Sequence, residues 1–346
     1  MIALVKDHEV YDKVVLGMSL RERLRKTLER NGFEVRFFRE ELDVSTECLI
    51  IFEPVLLLER DFRVKEKCLL SSNGFVFGAC LSNAKEIDFR KISSENGFEK
   101  IEVRAVNPVE KSVEELERAI LSTLVKKKST GSNFTHYDGV ISTLINRRIS
   151  LRISKFLAKT NVSPNQITVM SFLLSLLSIP FFLVSSWISN IIGGLIVQLH
   201  NIVDGCDGEI ARLKFMESKY GAWLDGVLDR CSDFLILLAV TYSASLQNQM
   251  YWIVGSFAIF ASMMIPYTGD KFVAVFKKPY ENPRWFEIPA TRDVRLFIVF
   301  IFAILNKLEF AVILIAILGN AEIVRRIIAL KACENQQKSI KPLEIS

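Results

Sequence analysis

A chain of 346 residues, half of them hydrophobic and with a net charge of +5, has room for two domains. Its six cysteines (Cys48, Cys68, Cys80, Cys206, Cys231 and Cys333) form no CxxC pair, and three histidines offer no His/Cys metal spacing. That excludes a thiolate–imidazole metal site and reads as reduced thiols in or facing the cytoplasm.

Residues 1–130 read as a soluble α/β domain. The opening Met1-Ile2-Ala3-Leu4-Val5-Lys6-Asp7 meets charge too soon for a signal peptide. Ile2–Val5 and Val14–Leu16 are short apolar runs. Ser19–Asn31 places Leu20, Leu24 and Leu28 on one helical face and stops at Gly32. Phe33–Phe38, Cys48–Phe52, Gly74–Cys80 and Ile101–Val106 read as strands. Ser112-Val113-Glu114-Glu115 supplies a cap and an acidic first turn to a helix ending near Lys127. The alternation predicts a largely parallel sheet.

Lys128-Ser129-Thr130-Gly131-Ser132 is a polar linker, and 131–160 joins the two domains. Between Val140 and Lys159, Ile141, Leu144, Ile145, Ile149, Ile153, Phe156 and Leu157 oppose Arg147, Arg148, Arg152 and Lys155. This suits a helix lying on a membrane surface. Together with Lys126, Lys127 and Lys128 the cluster could attract nucleic acid, but a basic collar beside a membrane helix is the reading taken, with no nucleic-acid partner.

Residues 161–330 carry repeated apolar runs of about 17–22 residues, the length of a membrane-spanning helix. Ser163-Pro164-Asn165 starts the first, with Pro near the first turn. Six spans are expected, over 165–185, 188–213, 219–246, 250–270, 293–306 and 308–326, the fifth being short enough to be tilted or shielded. Ser186–Ile188 and Gln247-Asn248-Gln249 carry no charge, whereas the alternate connections carry Lys214 and Lys219, then Lys271, Lys277, Lys278, Arg284 and Arg292. Only Lys307 separates the fifth span from the sixth, and Arg325, Arg326 and Lys331 follow the last. The alternation predicts a multi-pass protein of the plasma membrane, both termini cytoplasmic, with a polar tail over 331–346.

Four aspartates interrupt this apolar text. At about 100° per residue, Asp204, Asp207, Gly208 and Ala211 share one face of the second span, and Gly221, Asp225 and Asp229 one face of the third. If the faces meet, the carboxylates converge, and an all-oxygen donor set favours Mg²⁺, Mn²⁺ or Ca²⁺. Glycines at 205, 208, 221 and 226 leave room for close approach, and Arg212 suits bidentate binding of a diphosphate. The bland alternative pairs the aspartates with Arg212, Lys214, Lys219 and Arg230. A divalent-cation transporter is the other alternative, opposed by Arg212 and by the fused soluble domain.

The same stretch matches, at every fixed position, the signature D-x2-D-G-x2-A-R-x8-G-x3-D-x3-D of the CDP-alcohol phosphotransferases: Asp204, Asp207, Gly208, Ala211, Arg212, Gly221, Asp225 and Asp229. Ser163-Pro164-Asn165-Gln166-Ile167-Thr168 resembles that family's lead-in to its first span. The resemblance covers about 140–330. It implies a six-span fold, a homodimer, and transfer of a substituted phosphate from a CDP-alcohol donor to an alcohol or phosphate-bearing acceptor, with CMP leaving. By the same resemblance Asp204, Asp207 and Asp225 are metal ligands. Asp229 is the base and also a ligand of a second metal. Gly208, Ala211 and Gly221 line the cytidine site with Thr168 beside them, and Arg212 holds phosphate.

Gly17-Met18-Ser19-Leu20-Arg21-Glu22-Arg23-Leu24 and Gly32-Phe33-Glu34-Val35 resemble part of a sugar-phosphate nucleotidyltransferase. Asp138-Gly139-Val140-Ile141-Ser142 with Asn146-Arg147 is similar to the junction in archaeal bifunctional enzymes, which make CDP-inositol and join it to inositol phosphate. The resemblance fails at one place: Val5 is followed by Lys6-Asp7-His8-Glu9-Val10-Tyr11, not by a glycine-rich phosphate loop, so the domain is expected to be degenerate. Arg292 and Arg295 are candidates for an acceptor phosphate, with ordinary basic residues at a helix end as the competing reading. Trp223 and Trp252 read as packing or interfacial anchors, His136 as a linker residue, and His200, one turn before Asp204, as a residue that could border the site. The donor left open is a soluble CDP-alcohol, CDP-diacylglycerol or CDP-archaeol.

Overall fold

The structure, a computed structural model, describes residues 1–39, 47–62, 64, 68–81, 99–124, 145–277 and 288–339. Lys126–Lys128, the linker at 128–132, His136, the junction at 138–142, Leu144, Lys278 and Arg284 lie outside the described residues. Close contacts divide the chain into two units. One is Met1–Leu124 with Lys155–Asn161 and Leu213–Phe215, and the other is Val125–Ser154, Val162–Arg212 and Met216–Ser346.

In the first unit, β1 (Ile2–Lys6) lies between β4 (Glu34–Phe38) and β5 (Cys48–Ile51), parallel to both. On the far side of β5 come β8 (Phe75–Leu81), β7 (Cys68–Ser72) and β9 (Glu99–Glu102). β8 runs antiparallel to β5 and to β7, so the sheet is mixed where a largely parallel one was expected. The cause is local: Asn73 and Gly74 have φ of +49° and +83°, and Ser72 pairs directly with Phe75. Such a two-residue turn returns the chain at once and forces antiparallel pairing. Two further two-stranded pairs, β2 (Val14–Val15) with β3 (Met18–Ser19) and β6 (Leu56–Leu57) with β10 (Ala105–Val106), complete the strands described.

Helix α1 (Leu20–Arg30) is capped by Ser19 and buries Leu20, Leu24 and Leu28, the face expected. Helix α2 (Val113–Ser122) opens with a capping box in which Ser112 and Glu115 bond each other's backbone amides. Where a glycine-rich loop would follow β1, Glu9–Asp12 forms a 3₁₀ turn capped by His8 Nδ1. Beside it Asp7 is held by Arg21 at 2.6 Å and Arg39 at 2.8 Å. The hydrogen bond from Arg39, against the cost of burial and with help from Arg21, holds the Asp7 carboxyl below the usual carboxylate range.

The second unit is helical: α3 (Arg147–Leu157, whose last residues fall in the first unit), α4 (Pro164–Val184), α5 (Trp187–Lys214), α6 (Lys219–Ser245), α7 (Tyr251–Phe276), α8 (Arg292–Ile304) and α9 (Leu308–Ser339). Among the described residues, α4 and α7 are long and apolar enough to cross a membrane. α8, with 13 residues, reaches only about 20 Å at 1.5 Å per residue. α9 runs on to Ser339, into the polar stretch after 331, because no Gly or Pro interrupts the good helix formers after Ile328.

Small residues set the helix spacing. A Cβ on Gly255 of α7 would lie 2.1 Å from Thr241 Cγ2 of α6. Ser175 of α4 meets Ser232 of α6 at 2.9 Å. Between helices embedded in hydrocarbon, close backbone approach and shared hydroxyls replace the hydrophobic drive. The outer faces are apolar: Leu173, Leu177, Ile188, Leu195, Ile253, Phe257, Phe260 and Ile317 are exposed. α3 likewise exposes Ile149 and Phe156 while burying Ser150 and Ser154.

Candidate active site

Asp204 and Asp207 sit on α5, and Asp225 and Asp229 on α6, each helix presenting its acidic face through the 3.6-residue period. One oxygen from each of Asp204, Asp225 and Asp229 lies within 4.8 Å of the others. At that separation, two unit charges repel by about 3 kcal/mol per pair at an effective dielectric of about 20. Three such carboxylates need positive charge among them, and oxygen donors from two helices fit a divalent cation.

Asp207 borders that trio, its carboxyl within hydrogen-bond reach of Asp225. Its Oδ2 accepts a 2.6 Å hydrogen bond from the Thr168 hydroxyl of α4, and its Oδ1 accepts from the Gly208 amide. Thr168, expected beside the nucleotide, thus lies against Asp207. Ser171, one turn along α4, bonds Asp204 Oδ1 at 3.1 Å. The Ser163 capping box and Pro164 fix the start of α4 and so the height of both hydroxyls.

Positive charge comes from α8. Arg292 Nη1 lies 2.5 Å from Asp204 Oδ2, Nη2 lies 3.0 Å from Asp229 Oδ1, and Nε donates to Asp233 Oδ1 at 2.9 Å. Arg295 is buried, donating to Asp233 Oδ2 at 2.8 Å and to the Ala290 carbonyl. Both arginines proposed for an acceptor phosphate are therefore engaged by carboxylates, and Arg295 is enclosed. Asp233 is 2% exposed and also accepts from Ser262 at 3.2 Å.

Sequence reasoning missed Asp233. The signal was present, since Asp225, Asp229 and Asp233 continue one stripe at four-residue spacing. His200 does border the site: it is buried, Nδ1 lies 2.9 Å from the Ser171 carbonyl oxygen, and Nε2 lies 3.0 Å from Arg292 Nη2. With Nε2 facing a guanidinium donor, the ring proton belongs on Nδ1.

The remaining signature residues line the same faces. The Arg212 guanidinium packs over Gly208, 3.3 Å from where a Cβ would stand. A Cβ at Gly221, the third residue of α6, would stand 3.0 Å from Asn165 Oδ1 and Ser218 Oγ, so a side chain there would have to push both aside by a few tenths of an ångström. Ala211 is partly exposed. Trp223 is 62% exposed beside Tyr220, and Trp252 is 41% exposed. Behind α5, Glu209 is fully buried and held by Arg147 Nη1 at 2.6 Å and the Ser150 hydroxyl at 2.7 Å.

Helices with apolar outer faces around a cluster of carboxylates define a helical membrane protein with a polar interior and a candidate cation site. A family model described as CDP-alcohol phosphatidyltransferase matches residues 161–321, and one described as CDP-alcohol phosphatidyltransferase-like, N-terminal, matches residues 1–124. The archaetidylinositol phosphate synthase of Pyrococcus horikoshii is 30% identical over 184 residues, 51% of this chain and 87% of that protein. This chain belongs to the CDP-alcohol phosphatidyltransferase family.

A bifunctional IPC transferase and DIPP synthase of Archaeoglobus fulgidus is 40% identical over 196 residues, 56% of this chain. The chain spans 36% of that protein's length. A solved structure of Mycobacterium tuberculosis phosphatidylinositol phosphate synthase with CDP-DAG bound overlaps 52% of this chain and 92% of its own, at 21% identity and a TM-score of 0.44.

Proposed function

We propose that the protein transfers a substituted phosphate from a CDP-alcohol to an acceptor hydroxyl, releasing CMP, with the acceptor an inositol phosphate. The observation that carries this reading is the trio of Asp204, Asp225 and Asp229, drawn from two helices to within 4.8 Å and embedded in the family's full signature. The relatives' names support the acceptor class. Family membership and basic–neutral alternation support six spans in the plasma membrane, cytoplasmic termini, and a homodimer.

In this reading Asp204, Asp207 and Asp225 would hold Mg²⁺, and Asp229 would also reach a second metal; the trio Asp204, Asp225 and Asp229 and the Asp207–Asp225 contact support it. The bound cation supplies neutralisation of the diphosphate. Gly208, Ala211 and Gly221 leave room for cytidine, and Arg212 pairs with phosphate. Asp229 takes the proton from the acceptor hydroxyl as its oxygen bonds to phosphorus and the bond to CMP breaks. Arg292, already among the reacting carboxylates, holds an anionic phosphate, and Arg295 supports it through Asp233. Acceptor-side enclosure by charged groups favours the polar acceptor; a CDP-diacylglycerol or CDP-archaeol donor would use the apolar outer faces of the helices. After β1 the N-terminal unit carries the Glu9–Asp12 turn in place of a phosphate loop, with Asp7 tied to Arg21 and Arg39, and we assign it a non-catalytic role.

The test is CMP release from purified protein with Mg²⁺ across CDP-alcohols and acceptors. Asp229→Asn should abolish turnover while sparing CDP binding, and unchanged CMP release would refute its role as base. Asp225→Asn should weaken metal binding. Metal flux in proteoliposomes without CMP release would replace the enzyme by a transporter.

A further inference from the structure

Asp233 lies one turn beyond the last signature aspartate, outside every position the family pattern specifies. Its carboxylate is nearly sealed and grips two arginines, Arg292 through Nε and Arg295 through Nη2. Arg230 Nη2 stands farther off, 3.8 Å from Asp233 and 3.7 Å from Asp229. The other edge of the Arg292 fork addresses Asp204 and Asp229. Those are two of the three carboxylates whose oxygens cluster for a cation. Held at Nε, the planar guanidinium can swing as one rigid unit about that hydrogen bond, its side-chain torsions carrying both Nη groups together while the anchored edge stays in place.

We infer that Asp233 is a positioning residue that tethers Arg292, and that Arg292 and the divalent cation compete for Asp204 and Asp229. The inference rests on the reading of the acidic trio as metal ligands. A guanidinium and a doubly charged cation cannot both sit within contact distance of the same two oxygens without strong mutual repulsion. Cation binding therefore turns the Nη edge of Arg292 away from the carboxylates, and Asp233 keeps it beside the site as a ready donor pair for a phosphate anion. Asp233 adds a negative charge that offsets the one Arg292 brings, so the tether also weakens the hold of Arg292 on the metal ligands.

The two ends of the tether predict opposite effects on metal affinity, measured as Mn²⁺ binding by electron paramagnetic resonance on the purified full-length protein in detergent. Arg292→Gln removes the competitor and should tighten Mn²⁺ binding about tenfold, as expected for deleting a partly buried like charge at contact range. Asp233→Asn leaves Arg292 to the metal ligands and should weaken binding several-fold. In the Arg292→Gln background, Asp233→Asn should have little further effect, since its action runs through Arg292. A role confined to packing would weaken binding in both variants and in the double variant.

An Arg292→Gln protein with unchanged or weaker Mn²⁺ affinity overturns the inference, as does an Asp233→Asn effect that persists in the double variant. If Asp233→Asn does not fold, Arg292→Lys, which keeps the charge and loses the fork, should fall between wild type and Arg292→Gln. Wild-type protein that binds no Mn²⁺ removes the ligand reading and the inference with it. Normal Mn²⁺ binding with no response to Arg292→Gln sinks the inference alone.

Discussion

The ion pair between Arg147 and Glu209 joins α3 to the back of the signature helix, and its two ends should differ in sensitivity. Glu209 is fully buried, whereas the Arg147 side chain is 14% exposed. Arg147→Ala strands a carboxylate in the interior with the Ser150 hydroxyl as its remaining close donor. Removing one partner of a buried pair costs about 3–5 kcal/mol, much of it the penalty of the uncompensated charge. Glu209→Gln keeps the shape and an acceptor for Ser150, and leaves Arg147 near enough to the surface to recruit water, so about 1–2 kcal/mol is expected. For a unit of this size, 1 kcal/mol moves the melting temperature by about 2–4 °C, so Arg147→Ala should lower it by about 10 °C and Glu209→Gln by about 4 °C. The assay is thermal unfolding in detergent, run as a double-mutant cycle. The double variant should be less damaged than Arg147→Ala alone, because no charge is then stranded. The reasoning fails if Arg147→Ala behaves like a surface substitution, within about 0.5 kcal/mol, or if Glu209→Gln proves the more harmful.

Gly255→Ala would place a methyl group 2.1 Å from Thr241 and force α6 and α7 apart. The overpacking should cost about 1–3 kcal/mol in thermal unfolding, part of it recovered by adding Thr241→Ala. Burial raises the Glu117 carboxyl, but hydrogen bonds from Lys155 and Lys159 outweigh it, leaving a pKa below the usual range. A lowered folded-state pKa contributes stability that is complete above the unfolded value and is lost as pH falls through the folded one. Glu117→Gln should accordingly cost stability at neutral pH and lose that difference in acid, as urea titrations at several pH values would show. Removing divalent metal with EDTA should lower the unfolding temperature of wild type, by an amount corresponding to about 2.7 kcal/mol when metal stands at 100 times its dissociation constant. The same treatment should leave Asp225→Asn nearly unmoved.

Parts of the fold were legible because they rest on local rules. The Leu20, Leu24 and Leu28 face of α1, the Ser112 and Ser163 caps and the helix starts near 164, 187, 219 and 251 follow from periodicity and capping. The antiparallel β7–β8 hairpin was also written locally, in Asn73-Gly74, and was overlooked in favour of the alternation of strands and helices. Strand β7, Cys68-Leu69-Leu70-Ser71-Ser72, was missed in the sequence because, buried on both faces, it shows no period-2 alternation.

By itself the sequence determined which residues could meet: helical spacing put Asp204 with Asp207 and Asp225 with Asp229, whatever the packing of the helices. Tertiary structure alone decided which of them do meet. It drew Asp204, Asp225 and Asp229 into one trio, with Asp207 beside Asp225 and bonded to Thr168. It also brought Arg292, some sixty residues beyond Asp229 in the chain, against both Asp204 and Asp229, and it enclosed Asp233 as the partner of two arginines. The physical reason is range. A helix period acts over a few residues and is printed in the chain, whereas the match of charges across helices depends on how far and at what angle small residues such as Gly255 let the backbones approach.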